Sequence, residues 1–421
     1  MSALPEAHAA TPASLLGSLL PTPPLPADEL AALAELDEVI AKEIAPRAVD
    51  NDARGRYPAE SMAALKPTTA FASALPRELG GLGASHRFSL EMQLRLAMAD
   101  SAVAQLFKVH DELLREIPRY CPDFQRERLA ALVTRDRTML GLAVAERGKT
   151  ADAPLTTRAE PTDDGGFIIT GKKIYTTGAA GADLIATWGF NSEAATEQAP
   201  LAGMQLVLSP RGTPGVDIKL DWEALGQCAT DSGSIDFDGV CCPPEWAASV
   251  SGKAPLTHSA VRYQAGFAAV LTGIGLGCLA AAAPFVHEKA RPWGAAGVER
   301  ASDDPMVTRT CGEMASDLAC AYHATMATGA LLDAFERGEI DRTALAIPIS
   351  AAKSAASRAV MKTTSEVFAM MGARSIAGGS GFDRYWRNAR TLTLHDPMEW
   401  KNVEIGRHVL TGWSPEPGVY Q

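Results

Sequence analysis

Residues 372–395, GARSIAGGSGFDRYWRNARTLTLH, carry the densest group of side chains that could do chemistry. The glycine-rich turn can present backbone N–H groups, and the planar fork of Arg374 suits a phosphate. The rings of Tyr385, Trp386 and His395 suit a planar heterocycle, which an arginine can also stack on. These residues alone leave two interpretations open: a site for an anion joined to an aromatic ring, or a surface loop with solvated arginines.

Other patterns in the sequence point to no further chemistry. Ser350 and Lys353 have the Ser-x-x-Lys spacing of acyl-transferring serine enzymes, but the partner motifs are absent from this sequence and the pattern predicts a helix surface. Glycines 273, 275 and 277 lie in an apolar helical run and do not form a phosphate loop. The sequence contains no HExxH motif and no zinc spacing, so we expect no metal.

The composition is that of a folded, water-soluble protein. The 39 Lys and Arg against 50 Asp and Glu give a net charge of -11, which argues against a nucleic-acid partner. Seven cysteines without a CxxC motif argue against a disulfide framework and favour a reducing, cytoplasmic compartment. Residues 265–286 are uncharged and long enough to cross a membrane, but their Ala and Gly content predicts a buried helix and no membrane association.

The elements that must position these residues follow the order α, β, α, which predicts an α+β fold. Apolar residues at helical spacing begin after Asp28, which is placed to cap the first helix, and a single long helix is predicted over residues 88–117. Short β-like runs follow, with a hairpin turn at residues 163–166. The predicted units are a mobile leader (1–27), a helical domain (28–137), a β-barrel domain (138–245), a four-helix bundle (246–412) and a tail (413–421). No βαβα alternation supports a doubly wound nucleotide fold.

Several motifs resemble the acyl-CoA dehydrogenase superfamily, and the resemblance covers most of residues 28–412. Residues 173–178, KIYTTG, resemble the strand that lies against the flavin, and WEALG (222–226) with TDSG (230–233) resembles a loop of that family. The closer resemblance is to its monooxygenase branch, the dibenzothiophene-monooxygenase-like and sulfone-assimilation proteins. RPW (291–293), GAR (372–374), FDR (382–384) and WRNARTLTLHDP (386–397) carry that resemblance.

The resemblance implies a homotetrameric, two-component flavin monooxygenase with a helical domain, a β-barrel and a four-helix bundle. A separate NAD(P)H-dependent flavin reductase would supply reduced FMN, with FAD as the other possible flavin. Dioxygen would form a C4a-hydroperoxide that oxygenates a small sulfur- or nitrogen-containing compound. The residues that the resemblance implies for catalysis are His395, Thr177 and Asp396. Those implied for the cofactor are Tyr175, Thr176, Thr177, Arg291, Trp293, Gly372 and Arg374, and those for the substrate pocket are Gln105, Val109, His110 and Leu142.

The sequence departs from the desulfurising members at the pocket. Leu142 and Arg147 stand where those members have Asn, and Gln105 and Val109 stand where they have His and Tyr. These departures argue against a large tricyclic sulfur heterocycle as the substrate. Two alternatives remain: an acyl-CoA dehydrogenase with FAD and Asp396 as the base that removes an α-proton, and an inert scaffold. The His-Asp-Pro triplet favours oxygen chemistry over the dehydrogenase.

Overall fold

The N-terminal part of the chain is helical. The structure is a computed structural model that describes residues 16–148, 154–377, 379–418 and 421, so residues 1–15 of the predicted leader lie outside it. The prediction of a mobile leader is wrong for residues 16–27, because Leu16 is buried in the core and Pro23 O accepts a hydrogen bond from Arg87. Its helices are α1 (Ala27–Val39), α2 (Ala48–Arg54), α3 (Ala59–Leu65), α4 (His86–Ala99), α5 (Ser101–Glu116) and α6 (Asp123–Thr134). The prediction that Asp28 caps α1 is wrong: Pro26 is the N-cap, and Asp28 lies in the first turn and pairs with Arg77.

The single helix predicted over residues 88–117 is interrupted at Asp100. This residue adopts an extended conformation, with φ -144° and ψ 105°. Its Oδ1 accepts hydrogen bonds from the backbone N–H groups of Ala102 and Val103, at 3.0 and 3.3 Å, which caps α5. Asn51 Nδ2 donates to the other carboxylate oxygen at 3.0 Å and so anchors the break to α2. A side-chain acceptor that satisfies the first N–H groups of a helix competes with continued helix, which explains the break.

The middle part forms a curled sheet of seven strands in the described residues. They are β1 (Leu140–Ala143), β2 (Arg158–Pro161), β3 (Phe167–Lys173), β4 (Leu184–Phe190), β5 (Met204–Pro210), β6 (Val216–Ile218) and β7 (Ile235–Cys242), in the order β1-β4-β2-β3-β7-β6 with β5 on β4. The predicted hairpin at residues 163–166 is confirmed, because β2 and β3 pair antiparallel across it. The KIYTTG run, however, leaves the sheet after Lys173.

Long helices form the C-terminal part: α7 (Ser259–Glu288), α8 (Pro305–Glu336), α9 (Arg342–Met371), α10 (Asp383–Thr393) and α11 (Met398–Thr411). Helix α9 packs on α7, α8 and α11, and α4 packs on α7 and α8. Much of the apolar core runs without interruption from the N-terminal helices into this bundle, while the inner face of the sheet has a smaller core of its own.

Helix α7 is the centre of the bundle. It is the helix, among those described, that is apolar and long enough to span a membrane, but 72% of that apolar window is buried in the protein, as the sequence predicts. Gly273 and Gly277 let α4 approach closely, because a Cβ on either would lie 2.4 Å from Leu94 O or 2.2 Å from Met98 O. Small residues at this spacing are typical of helices in backbone contact.

Candidate active site

The turn that follows β3 holds Thr177. Tyr175 adopts φ 55°, a left-handed conformation that takes the chain out of the sheet, so Thr177 lies on a turn and the predicted strand ends earlier. Thr176 is buried, and both its N–H (3.0 Å) and its hydroxyl (2.8 Å) donate to Gly233 O. Its hydroxyl therefore fixes the turn, and its contact with the cofactor stays a prediction.

Thr177 is half-buried and joins a chain of hydroxyl groups. Ser232 Oγ lies 3.1 Å from Thr177 Oγ1 and 2.8 Å from Thr230 Oγ1, and the Thr230 hydroxyl donates to Gln227 O at 2.8 Å. Because each hydroxyl has one proton, Thr230 accepts the proton of Ser232. The proton of Thr177 is therefore available to Ser232 or to a ligand. The backbone N–H of Leu142 donates to Thr177 O at 3.0 Å, which places these two predicted site residues side by side.

The loop at residues 222–232 joins this turn to the C-terminal helices. The Trp222 ring meets that of Tyr175 edge to face at 5.7 Å, and Trp222 Nε1 donates to Gln227 O at 2.9 Å. Gln227 N donates to Asn388 Oδ1 on α10 at 2.5 Å. A Cβ on Gly226 would lie 2.1 Å from the backbone oxygen of residue 387, so only glycine allows this contact. The Thr177 turn and α10 are thus fixed to the same loop.

His395 lies in the turn after α10. Its ring packs on that of Phe267 from α7, with 4.4 Å between centroids. Burial, together with the positive charges of Lys353 and Lys108, lowers the pKa of the imidazole to about 4. The residue nevertheless lies at the exposed surface, so a ligand can reach it. No described residue forms a hydrogen bond with either ring nitrogen, so the neutral imidazole is free to bind a ligand.

Asp396 is held by two buried lysines. Its Oδ2 lies 3.1 Å from Lys353 Nζ and 3.3 Å from Lys401 Nζ, and Lys353 also donates to Gln264 Oε1 at 2.5 Å. Burial lowers the pKa of Lys353 to about 8, against the opposing effect of the Asp396 charge. A carboxylate that neutralises two ammonium groups in the interior is not free to remove a proton from carbon. The assignment of Asp396 as a catalytic base is therefore corrected: it positions the turn that carries His395.

A polar stripe along the buried helix α5 connects the two ends of the site. It consists of residues at helical spacing: Ser101, Gln105, Lys108 and Glu112. At one end Ser101 Oγ accepts from Gln227 Nε2 at 3.0 Å, and at the other end Glu112 pairs with Arg262 of α7. Between them Gln105 Oε1 is buried and has no hydrogen-bond partner among the described residues. Val109 lies beside the stripe and is buried.

The substrate-pocket prediction for His110 is wrong. His110 and Lys108 point to opposite sides of α5, because two residues along a helix turn through about 200°. His110 is fully buried and stacks on Phe71 at 4.4 Å. Its Nδ1 accepts from Leu140 N at 3.2 Å and its Nε2 lies 3.0 Å from Phe71 O, so both nitrogens are used. The residue joins α5 to β1 and has no capacity left for a ligand.

The predicted phosphate-binding residues form a second, separate group. Arg374 donates to Lys289 O at 3.0 Å, which places it beside the segment with Arg291 and Trp293 that follows α7. Gly372 ends α9 with φ 69° and leads into Arg374. The two arginines are exposed, and the Trp293 side chain is 79% exposed. In the described part of the chain, no hydrogen bond or ring contact joins this group to Thr177 or His395.

Sequence reasoning missed several residues of the site, among them Lys108, Lys353 and Phe267. The Ala-rich surroundings of Lys353 predict a helix surface, yet Lys353 is buried. Ser350, the other half of that pattern, donates to Glu404 and forms no hydrogen bond with Lys353 among the described residues. The signal for Lys108 is present in the sequence, since a charged residue between Phe107 and Val109 falls on the same face as Ser101 and Glu112.

Comparison with known proteins identifies the family. The chain matches the family descriptions "Acyl-CoA dehydrogenase, N-terminal domain" (residues 26–136), "middle domain" (141–240) and "C-terminal domain" (265–400). It is 33% identical to the dibenzothiophene monooxygenase of Mycolicibacterium goodii over 88% of this chain and 91% of that protein. It is 30% identical to the probable FMNH2-dependent monooxygenase SfnC of Pseudomonas putida over 95% and 98%. FMN-bound TdsC of Paenibacillus sp. A11-2 superimposes with a TM-score of 0.86, at 29% identity over 93% and 100%.

The residues around the Thr177 turn fit a flavin. An isoalloxazine edge carries both N–H donors and carbonyl acceptors, and Gln105 Oε1 and Gln227 Oε1 are buried acceptors without partners in the described residues. The Thr177 hydroxyl is a donor, and the 63% exposed Tyr175 ring is available as an aromatic surface. The family matches, the relatives and this geometry agree. The chain belongs to the acyl-CoA dehydrogenase family and is an FMN-dependent monooxygenase of that fold.

Proposed function

We propose that the chain is the oxygenase of a two-component system that oxygenates a small sulfur- or nitrogen-containing compound. A separate NAD(P)H-dependent flavin reductase supplies the reduced FMN, since the sequence has no dinucleotide-binding fingerprint of its own. One atom of dioxygen is transferred to the substrate, and the other leaves as water with the two electrons and two protons of reduced FMN. The sulfur heterocycle in the name of the Mycolicibacterium relative supports this substrate class.

The observation that carries this proposal is the state of His395. Its imidazole is neutral at physiological pH, packs on Phe267 and has no hydrogen-bond partner among the described residues. Reduced FMN, when bound, provides the electrons that activate dioxygen. A ring nitrogen of His395 then holds and delivers the proton needed by the departing oxygen. Thr177 Oγ1 orients the cofactor edge, and Ser232 fixes that hydroxyl.

The other predictions complete the proposal. Arg291 and Arg374 bind the FMN phosphate, and Gly372 and Trp293 shape that group. Because this group is exposed and is not in contact with the Thr177 turn, we propose that it serves a neighbouring subunit of a homotetramer. The seven cysteines are all unpaired, which supports a reducing, cytoplasmic location.

Oxygen-isotope incorporation tests the function directly. The purified chain, FMN, an NADH-dependent flavin reductase and ¹⁸O₂ are incubated with a panel of small organosulfur and organonitrogen compounds, and products are identified by mass spectrometry. We expect one ¹⁸O atom per product molecule, with catalase present to remove free peroxide. Reactions without the chain, and reactions with the chain but without the reductase, serve as controls. Products that carry no ¹⁸O, or equal yields without the chain, contradict the proposal.

A further inference from the structure

Lys108 is a buried cation without a counterion. Its side chain is 1% exposed, and its ammonium lies over the rings of Phe267, at 4.3 Å from the centroid, and Tyr263, at 4.7 Å. In the described part of the chain it forms no hydrogen bond and no ion pair. Buried charges in proteins are nearly always paired, because an isolated ion in the interior has a large desolvation cost. The Lys108 ammonium therefore has unused hydrogen-bonding capacity with which it can bind an anion that is not part of the protein.

The neighbouring carboxylates are already engaged. Glu112 pairs with Arg262, and Asp111 lies 3.8 Å from Arg115. The remaining carboxylate near the site, Asp396, pairs with Lys353 and Lys401. Gln93 Oε1, a buried acceptor close to the same Gly266 as the Lys108 stem, has no hydrogen-bond partner in the described residues, so it does not hold the ammonium either.

Lys108 and His395 contact the same aromatic ring. Phe267 lies under the Lys108 ammonium, 4.4 Å from the His395 ring centroid and 5.6 Å from Lys353 Nζ. A molecule bound between Lys108 and His395 would meet a positive charge at one end and a neutral proton donor at the other. This arrangement selects for a small ligand that carries a negative group within a few bonds of the atom that reacts.

We propose that the substrate of the oxygenation is a small organic anion, such as a sulfinate, and that Lys108 binds its charged group. This inference rests on the proposed function and adds the charge of the substrate to it. For a sulfinate, the sulfur gains one oxygen atom from dioxygen and becomes a sulfonate, the second oxygen atom leaves as water, and reduced FMN is oxidised to FMN. Lys108 takes no part in the transfer; it determines which molecules reach His395.

The charged groups around Lys108 set the pH range of binding. Burial, together with the charges of Arg262 and Lys353, lowers the pKa of the Lys108 ammonium to about 8, against the opposing effect of Glu112 and Asp111. The groups that face it from all packed elements are Asp111, Glu112, Arg262, Tyr263, Lys353 and His395. Lys108 is therefore charged at pH 7, and anion affinity should fall as the pH rises above 8.

The test compares an anion with a neutral molecule of similar shape. Methanesulfonate and dimethyl sulfone are titrated calorimetrically into the FMN-loaded chain at constant ionic strength with chloride. We expect wild-type protein to bind methanesulfonate more tightly, and Lys108→Met to lose about 10- to 100-fold of that affinity, as for loss of one charge-assisted contact. Lys108→Arg should retain most of it, and Lys172→Met, which removes an exposed lysine on β3, should match wild type.

Two results overturn the inference. One is equal binding of methanesulfonate and dimethyl sulfone by wild type, which decides the question even if Lys108→Met does not fold. The other is a Lys108→Met protein that binds methanesulfonate as tightly as wild type does, or one that loses affinity for FMN and not for methanesulfonate. Oxygenation of methanesulfinate and of its neutral counterpart dimethyl sulfoxide is measured in parallel. Equal turnover of the two compounds would support the proposed function and contradict the anion site. Anion binding that depends on Lys108, without oxygenation of any compound, would support the anion site and contradict the proposed function.

Discussion

His110 and His395 differ in what surrounds their nitrogens, although the pKa of each is lowered to about 4 by burial. On the far side of α5, Leu140 N and Phe71 O occupy both nitrogens of His110. In the turn after α10, His395 has an aromatic neighbour and no described hydrogen-bond partner. A lowered pKa is thus found both for fully buried His110 and for His395, which has exposed surface. The unused hydrogen-bonding capacity of His395 distinguishes it as the histidine that we propose acts in catalysis.

Substitution of His395 should change the rate of catalysis more than any other substitution. We expect His395→Ala to reduce the oxygenation kcat by about 100-fold or more, since a general acid contributes roughly 10²- to 10⁴-fold. FMN affinity and the melting temperature should stay close to wild type, because the ring forms no hydrogen bond within the described protein. The rate is measured as product formed per NADH consumed. His287→Ala, at an exposed position near the end of α7, is the matched control, and unchanged turnover in His395→Ala removes this residue from the mechanism.

The opposite effect is expected at His110. His110→Ala leaves Leu140 N and Phe71 O without partners and opens a cavity beside Phe71, so the free energy of unfolding should fall by about 3 kcal/mol. The kcat per folded molecule should change by less than about twofold, a difference of roughly 0.4 kcal/mol. Urea unfolding followed by fluorescence measures the first quantity. A stable His110→Ala protein with greatly reduced kcat would return His110 to the substrate pocket.

The exposed group that contains Arg374 can be tested in the same way. We expect Arg374→Ala to weaken FMN binding by about 10- to 100-fold, because a charge-assisted phosphate contact is worth about 1.5–3 kcal/mol. FMN affinity is measured by flavin fluorescence quenching, and the assembly state by sedimentation velocity. If the arginine serves a neighbouring subunit, dilution to monomers should weaken FMN binding by the wild type to the level of the variant. FMN affinity that is independent of Arg374 contradicts the phosphate assignment.

Much of the fold was predictable because its signals are local. The Asp-Asp-Gly-Gly turn predicts the β2-β3 hairpin, and the small residues of α7 predict a buried helix, both of which are confirmed. The break at Asp100 was not predicted, since helical periodicity continues across it and the side-chain cap operates only when Asn51 holds the carboxylate. The KIYTTG run has strand-like composition, but Tyr175 at φ 55° ends the strand for tertiary reasons.

The site was predictable where a contiguous motif carries it and unpredictable where three elements meet. His395 and Thr177 belong to motifs, whereas Lys108, Phe267 and Lys353 come from α5, α7 and α9 and meet only after folding. Lysine in a helical run is usually a solvated residue, so composition favours the surface. For Asp396 the motif itself misleads. Its place in the motif suggests a catalytic base, and only the structure shows that its carboxylate is paired with two lysines.

The two adjacent threonines provide a finer comparison. Thr177→Val removes the hydroxyl that we propose orients the cofactor, so it should reduce coupled oxygenation by about tenfold, equivalent to about 1.4 kcal/mol, while Thr177→Ser should retain most of it. Thr176→Val should instead lower the free energy of unfolding by about 1 kcal/mol, because its hydroxyl donates to Gly233 O. Hydrogen peroxide released per NADH measures the uncoupling. Equal uncoupling in both variants would mean that the turn acts only through its backbone.

Substitution of His110 should also change, by a smaller amount, how the free energy of unfolding depends on pH. The pKa of His110 is about 4 in the folded chain, below its ordinary value of 6.5, so the unfolded chain takes up a proton first as the pH falls. The stabilising contribution of His110 is thus complete above pH 6.5 and is lost progressively toward pH 4. His110→Gln, which cannot titrate, should show a decline in unfolding free energy between pH 6 and pH 5 that is about 1 kcal/mol smaller than in wild type. His86 is also buried, its pKa is also near 4, and it remains in both proteins, so the variant should keep part of the acid sensitivity. Identical pH profiles for the two proteins would show that His110 is accessible to protons in the folded state.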